Sequence, residues 1–278
     1  MKPVVALPLL HEATPEAELG NQQAFGGLLS PEPAGLRPVE GEPGTRECLP
    51  LLQACRKALE RAAATGEGFL LPLENLSPEA SRALDEALGE GEVTLTVGGR
   101  HRYEASETAL PGLWRVTTKD GARVLSRHLE VGDVPHVVRA AEETATLKDL
   151  HIGQPPQGAM NALPVLAELR HRSQAWQPGQ PNHVMSFTLL PMNEVDVAYL
   201  EQQVGHGPVR GESKGFSRCA VELTAVRHVW SVKHFNAMDK LILDTLEVGD
   251  VPQALLAASD DFLDSAARLS EWLGRVPA

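Results

Sequence analysis

Cys219, His228 and His234 come nearest to a chemical constellation in this sequence. One thiol and two imidazoles form a plausible donor set for a metal. The two histidines are six residues apart in a stretch read as strand, so an unbroken strand would put both on one face. The competing reading places them on a solvated strand face, with Cys219 as a small core residue. Cys48 and Cys55 are seven apart, two helical turns, and read as one buried face rather than a redox pair. The sequence has three cysteines and no C-x-x-C spacing, which argues against a disulfide framework or a closed zinc site. No G-x-S-x-G, H-E-x-x-H or P-loop pattern is present, nor a G-x-G-x-x-G that opens a helix. Gly89-x-Gly91 and Gly205-x-Gly207 follow helical patterns and precede strand patterns, which makes them helix stops rather than phosphate cradles. The expectation is therefore no catalytic residues, no bound metal, no cofactor, and a protein that is not an enzyme.

The elements that carry these residues read as a repeat. Leu129–Pro135 and Leu246–Pro252 are both LEVGDVP, offset by 117. Gly89–Val93 matches Gly205–Val209 and Trp114 matches Trp230, both at 116. Leu84 corresponds to Leu200, Thr108 to Thr224, and Leu49-Pro50 to Leu163-Pro164. The order is kept while the offset drifts by a few residues, a signature of duplication. Each copy starts with an apolar helical stripe: Leu51, Leu52, Cys55, Leu59 and Ala62 in the first, Leu163, Leu166, Leu169 and Trp176 in the second. Short apolar runs at Phe69–Leu73 and Val184–Leu190 have the length of buried strands. Ser77-Pro78 and Asn193 are helix starts, and Gly89 and Gly205 end those helices. Alternating Val93, Leu95 and Val97 predict a half-buried strand, and turns are expected at Lys119–Gly121 and Ala237–Lys240. The fold expected is α+β: two pseudo-symmetric αβαβββ(β) repeats on a mixed sheet, with a C-terminal helix over about Pro252–Leu273 that packs back on the sheet. The domain reading is an acidic arm at 1–45, a first repeat at 46–140, a surface linker at 141–160 and a second repeat at 161–278. The arm carries seven prolines and six glycines, six acidic and two basic residues, and reads as poorly ordered.

Hydrophobic residues make up 42% of the chain and charged ones 22%, ordinary for a globular protein. The formal net charge of −12 disfavours a nucleic-acid partner. No signal peptide, twin-arginine signal or transmembrane run is read, so the expectation is a cytoplasmic protein without membrane insertion.

Within the repeat, Trp114 and Trp230 are expected to anchor the two cores. Asp133 and Asp250 read as caps after a strand. Glu130 and Glu247 are expected to pair across the pseudo-symmetric interface. The second copy departs from the first at Gly211–Cys219, where Lys214, Gly215, Phe216 and Arg218 form a loop. Two readings of Phe216 stand: part of a contact surface, or tucked against the body.

Several stretches in order resemble the HupH/HyaF/HoxQ family of [NiFe]-hydrogenase maturation factors. They are Phe187–Pro191, Ser213–Cys219, His228-Val229-Trp230, His234-Phe235-Asn236, Leu241–Pro252 and Asp264–Leu269, joined in the first copy by Leu88–Val93 and Gly112–Val116. The similarity covers about 46–274. The resemblance implies an accessory chaperone that holds or shields the iron–sulfur small subunit of a membrane-bound uptake [NiFe]-hydrogenase before export. It implies the precursor small subunit and other hydrogenase accessory proteins as partners. Lys214, Gly215, Phe216, Arg218, His234, Phe235 and Asn236 are the partner-binding candidates. The alternative is an iron–sulfur or metal carrier using Cys219 and the nearby histidines.

Overall fold

The structure is a computed structural model that describes residues 44–188, 190–215 and 217–276. The expected acidic arm and Phe216 lie outside the described residues, the arm but for its last two positions. The described elements are α1 (Thr45–Thr65), β1 (Phe69–Pro72), α2 (Pro78–Leu88), β2 (Val93–Val97), β3 (Arg102–Glu107), β4 (Leu113–Asp120), β5 (Arg123–Val131), α3 (His136–Ala145), α4 (Ala162–Ala175), β6 (His183–Ser186), α5 (Glu194–Val204), β7 (Val209–Ser213), β8 (Cys219–Leu223), β9 (Val229–Phe235) and β10 (Leu241–Val248). A short 3-10 turn (Gln253–Leu255) and α6 (Ser259–Arg275) complete the described chain.

The strands form one ten-stranded sheet in the order β1-β5-β4-β3-β2-β7-β8-β9-β10-β6. Every strand pairing in it is antiparallel, where a mixed sheet was expected. The crossovers β1-α2-β2 and β6-α5-β7 each return a strand in the same sense, but with three strands between, so no parallel pair arises. At the centre β2 pairs with β7, from Val93 opposite Ser213 to Val97 opposite Val209. From that junction outward, strands β3, β4, β5, β1 lie on one side and β8, β9, β10, β6 on the other.

Local chemistry sets the helix ends. Ser77 Oγ accepts from Ala80 N at 3.1 Å, with Pro78 in the first turn where no N–H is needed. Asn193 Oδ1 accepts from Asp196 N at 2.8 Å and Asp196 Oδ2 accepts from Asn193 N at 3.2 Å, a reciprocal capping box. The chain then turns at Gly89 and Gly205, at φ 58° and 60°. Two residues on, a Cβ at Gly91 would stand 2.3 Å from Thr108 O, and one at Gly207 2.3 Å from Thr224 O. Only glycine lets those backbones approach so closely.

Among the described residues three apolar clusters make the core. One face of the central strands packs Trp114, Val116, Val221 and Trp230 against α3 and Leu255. On the other face α4 and α5 cover β10 and β9 through Leu166, Leu169, Leu200 and Leu246. The third cluster joins α1 and α2 to β5, and α6 closes it with Phe262, Leu269 and Trp272. Here the structure departs from expectation, because α6 packs on α1 rather than back on the sheet. Phe262 sits so close to Gly112 that an added Cβ there would be 2.0 Å from its ring. Helix α3 is a second departure, filling the end of the first repeat and the start of the expected linker. Its buried apolar residues are only Val137, Val138 and Ala141, too short a stripe to stand out in the sequence. The rest of that linker is tied down: Leu150 is buried, and Tyr199 donates its hydroxyl to Gly153 O at 2.6 Å.

Candidate functional site

The sheet register brings most of the partner-binding candidates together. Cys219 lies directly opposite His234 in the β8–β9 ladder, so the residues flanking them, Arg218 and Phe235, meet at the strand ends. Phe235 N donates to Arg218 O at 2.9 Å. The Arg218 guanidinium stacks over the Phe235 ring at 3.7 Å, a cation–π contact. The same guanidinium reaches Asp239 Oδ1 at 2.7 Å and Glu212 Oε1 at 3.1 Å. One arginine thus pins the β7–β8 loop to the β9–β10 turn.

Asn236 builds that turn. Its side-chain oxygen accepts from Met238 N and Lys240 N, both at 3.0 Å, and Asp239 takes the left-handed conformation at φ 59°. On the loop side, Lys214 N donates to Glu92 O at 3.0 Å, and the Lys214 ammonium lies 3.5 Å from Glu212. A Cβ at Gly215 would stand 2.3 Å from Glu92 Oε2. The loop of the second half is therefore docked on the start of β2 in the first half. Around this polar frame Met238, Leu241 and Ile242 are exposed, Met238 to 84%. Sequence reasoning missed these three, because exposure of an apolar residue in a strand end is decided by what fails to cover it. Exposed apolar side chains beside a stacked arginine suit a protein contact.

The metal-ligating trio does not assemble. Cys219 Sγ and His234 Nε2 are 3.9 Å apart. His228 stands at the far end of β9, in a left-handed turn at φ 63° that precedes the strand. The unbroken strand assumed for the pair is therefore broken at its first member. His228 instead receives Glu142: Glu142 Oε1 accepts from His228 N at 3.0 Å and lies 2.9 Å from its Nδ1. Among the described residues no group of three or more His, Cys, Asp or Glu side chains is placed to hold a metal ion. Burial pushes the Cys219 thiol up to about 11 and the Cys55 thiol up to about 12, which disfavours the thiolate form a metal or electrophile needs. Cys48 Sγ donates to Ala80 O at 2.9 Å.

The repeated motif residues have unlike roles. Trp114 and Trp230 are both fully buried. Asp133 and Asp250 do not cap helices; Pro135 and Pro252 hold the cap positions instead. Each aspartate accepts from the next backbone N–H, of Val134 and Val251, at 2.8 Å. Both then grip Arg139, at 2.8 Å from Asp133 and 3.1 Å from Asp250. Arg139 was missed because the second LEVGDVP has no matching arginine downstream. Glu130 and Glu247 each meet a residue of their own half rather than pairing across the interface. Glu130 is buried and accepts from His136 N at 2.6 Å, with His136 Nδ1 at 3.0 Å. Burial alone would raise its carboxyl, but hydrogen bonds from His128 and His136 hold it below the usual carboxylate range. Glu247 meets Asn182 Nδ2 at 3.3 Å.

No helix among the described residues is long and apolar enough to cross a membrane. Comparison with known proteins identifies relatives along most of the chain. The HoxQ hydrogenase expression/formation protein of Cupriavidus necator is 36% identical over 249 residues, covering 86% of this chain and 87% of the relative. The HupH hydrogenase expression/formation protein of Rhizobium leguminosarum bv. viciae is 38% identical over 225 residues, covering 80% and 79%. Among solved structures, the hydrogenase expression protein HupH from Thiobacillus denitrificans matches at 32% identity over 33% of this chain and 79% of that one, with a TM-score of 0.32. The model of the family described as HupH hydrogenase expression protein, C-terminal conserved region, matches residues 47–149 and 159–276, and the chain belongs to that family.

Proposed function

We propose that this protein acts in hydrogenase maturation as a non-enzymatic accessory chaperone for the iron–sulfur small-subunit precursor. Family membership supports the hydrogenase role. The observation that carries the chaperone reading is the end of the sheet where Arg218, stacked on Phe235, joins two turns beside exposed Met238, Leu241 and Ile242. A holdase works by surface complementarity, and a rigid polar frame around apolar side chains provides it. Thiols pushed towards their neutral form fit a contact role better than an electron or metal relay. We further infer that the chain arose by duplication of a five-stranded unit, β1–β5 with α1 and α2, then β6–β10 with α4 and α5. The repeated sequence motifs and the matching strand order on either side of the β2–β7 junction support this.

The test is anaerobic co-purification with the precursor small subunit. Wild-type protein recovers the precursor, and Met238→Asp with Ile242→Asp reduces recovery at least about tenfold, the scale of one hot-spot contact. Unchanged recovery by the double variant, or no recovery by wild type, overturns the reading.

A further inference from the structure

Beneath α5, on the sheet face opposite the two tryptophans, lies a cavity of about 340 Å³. Its walls are apolar: Phe187, Met192, Leu200, Val204 and Leu246. At its floor Lys233 stands between two carboxylates, 3.5 Å from Glu201 and 3.8 Å from Asp244. At its other end Glu222 is already served by His206 Nδ1 at 3.0 Å and Arg210 at 3.0 Å.

The corresponding place beneath α2 is lined by different chemistry. In the first half Arg115 follows Trp114 and stands opposite Leu129; in the second Ser231 follows Trp230 and stands opposite Leu246. Arg127 lies two residues before Leu129, and Asp244 two before Leu246. Under α2 two long arginines reach up to the helix. Arg115 donates to Asp85 O at 3.0 Å and to Gly89 O, and Arg127 donates to Ser81 Oγ at 3.1 Å and Asp85 at 3.2 Å. The depression beside them is larger, about 870 Å³, more open, and lined mostly by polar and charged side chains. Under α5, serine and aspartate stand at the same two positions, the walls are apolar, and one lysine faces two carboxylates.

The volume falls in the range of small-molecule sites, and an apolar wall with a few convergent polar groups is their usual make-up. The charge at the floor selects the ligand. Two carboxylates share one ammonium, so one negative charge is uncompensated in a partly desolvated place. Asp244 is the better screened from water, with its side chain 22% exposed. Burial raises its carboxyl despite Lys233, the mark of a carboxylate short of a cation.

We propose that this cavity binds a small organic cation, an ammonium or guanidinium on an apolar body of side-chain size, with the charged end on Asp244 and Glu201. The site uses none of the residues of the sheet-end contact surface, so it stands or falls apart from the chaperone reading.

The test uses the full chain and two matched probes, phenethylamine and phenylpropionate, followed by saturation-transfer NMR and titration. Phenethylamine binds saturably and phenylpropionate does not. Asp244→Asn weakens the amine about fivefold, the scale of a partly exposed charge pair. Ser231→Arg, which installs the first half's residue, removes binding while the thermal transition is kept. If that variant does not fold, Val197→Trp plugs the same cavity from the helix side and must also remove binding. Equal binding of amine and acid, no saturable amine binding, or amine binding that survives a folded plugging variant overturns the proposal.

Discussion

Trp114 and Trp230 occupy matching ladder positions in different chemical company. Trp114 lies opposite Glu107 and Trp230 opposite Leu223. The Trp114 indole N–H donates to Gly132 O at 2.9 Å, whereas the Trp230 indole N–H is buried with no hydrogen-bond partner. Glu107 is a buried carboxyl that accepts from Gly112 N at 3.4 Å. The two halves have the same backbone pairing, yet each places one polar cost at this spot. In the first half it is an acid without a cation, in the second an indole without an acceptor. A shared ladder fixes where side chains stand and leaves their chemistry free to diverge.

The largest test of that contrast is Glu107. Burial pushes its carboxyl up to about 7, with the Glu92 and Asp261 carboxylates adding repulsion and the Gly112 and Glu92 backbone N–H groups only partly offsetting them. Its ordinary value is 4.5, so between that pH and about 7 the folded state holds a proton the unfolded chain has lost. Stability from this group is complete below the lower value and falls as pH rises through the upper one. Glu107→Gln keeps an oxygen for Gly112 N and removes the titration. It is expected to gain about 3 kcal/mol over wild type at pH 8 and little at pH 4, read from urea midpoints. Equal wild-type and variant slopes of stability against pH would sink the assignment.

The two LEVGDVP motifs differ in a second way: both aspartates depend on one arginine from α3. Arg139→Ala leaves two carboxylates facing each other at the junction of the halves. A fully buried arrangement would lose several kcal/mol, but the Arg139 side chain is 39% exposed, so the expected cost is about 2 kcal/mol. Asp133→Asn and Asp250→Asn should each cost less than half of that, since the other aspartate keeps the arginine. If Arg139→Ala is silent in thermal unfolding, the clasp is a surface pair and not a tie between the halves.

How far the sequence disclosed this depends on the range of the interaction. Caps at Ser77 and Asn193 and stops at Gly89 and Gly205 were legible because each is settled within a few residues. So was the alternation of Val93, Leu95 and Val97. The Arg139–Asp250 contact spans 111 residues and involves a residue present once, so no local pattern announces it. The seating of α6 on α1 follows from Phe262 meeting Gly112, a fit between distant surfaces. His228 was misread because a strand pattern does not reveal a left-handed turn at its first residue. The sheet-end cluster was legible as a set of residues but not as a geometry. Its assembly depends on the register that sets Cys219 opposite His234.

The smallest effect returns to the tryptophans and separates the two indoles most cleanly. Phenylalanine at either position removes the N–H and some ring volume, and the volume loss is common to both. At Trp114 the change also strands Gly132 O, whose partner is lost inside the fold. At Trp230 it removes a buried donor that has no acceptor, which offsets part of the packing loss. Trp114→Phe is therefore expected to cost about 1 kcal/mol more than Trp230→Phe, measured by chemical denaturation at one pH. A difference of the opposite sign would mean that the Trp230 indole finds an acceptor in solution. The polar asymmetry of the two ladders would then rest on Glu107 alone.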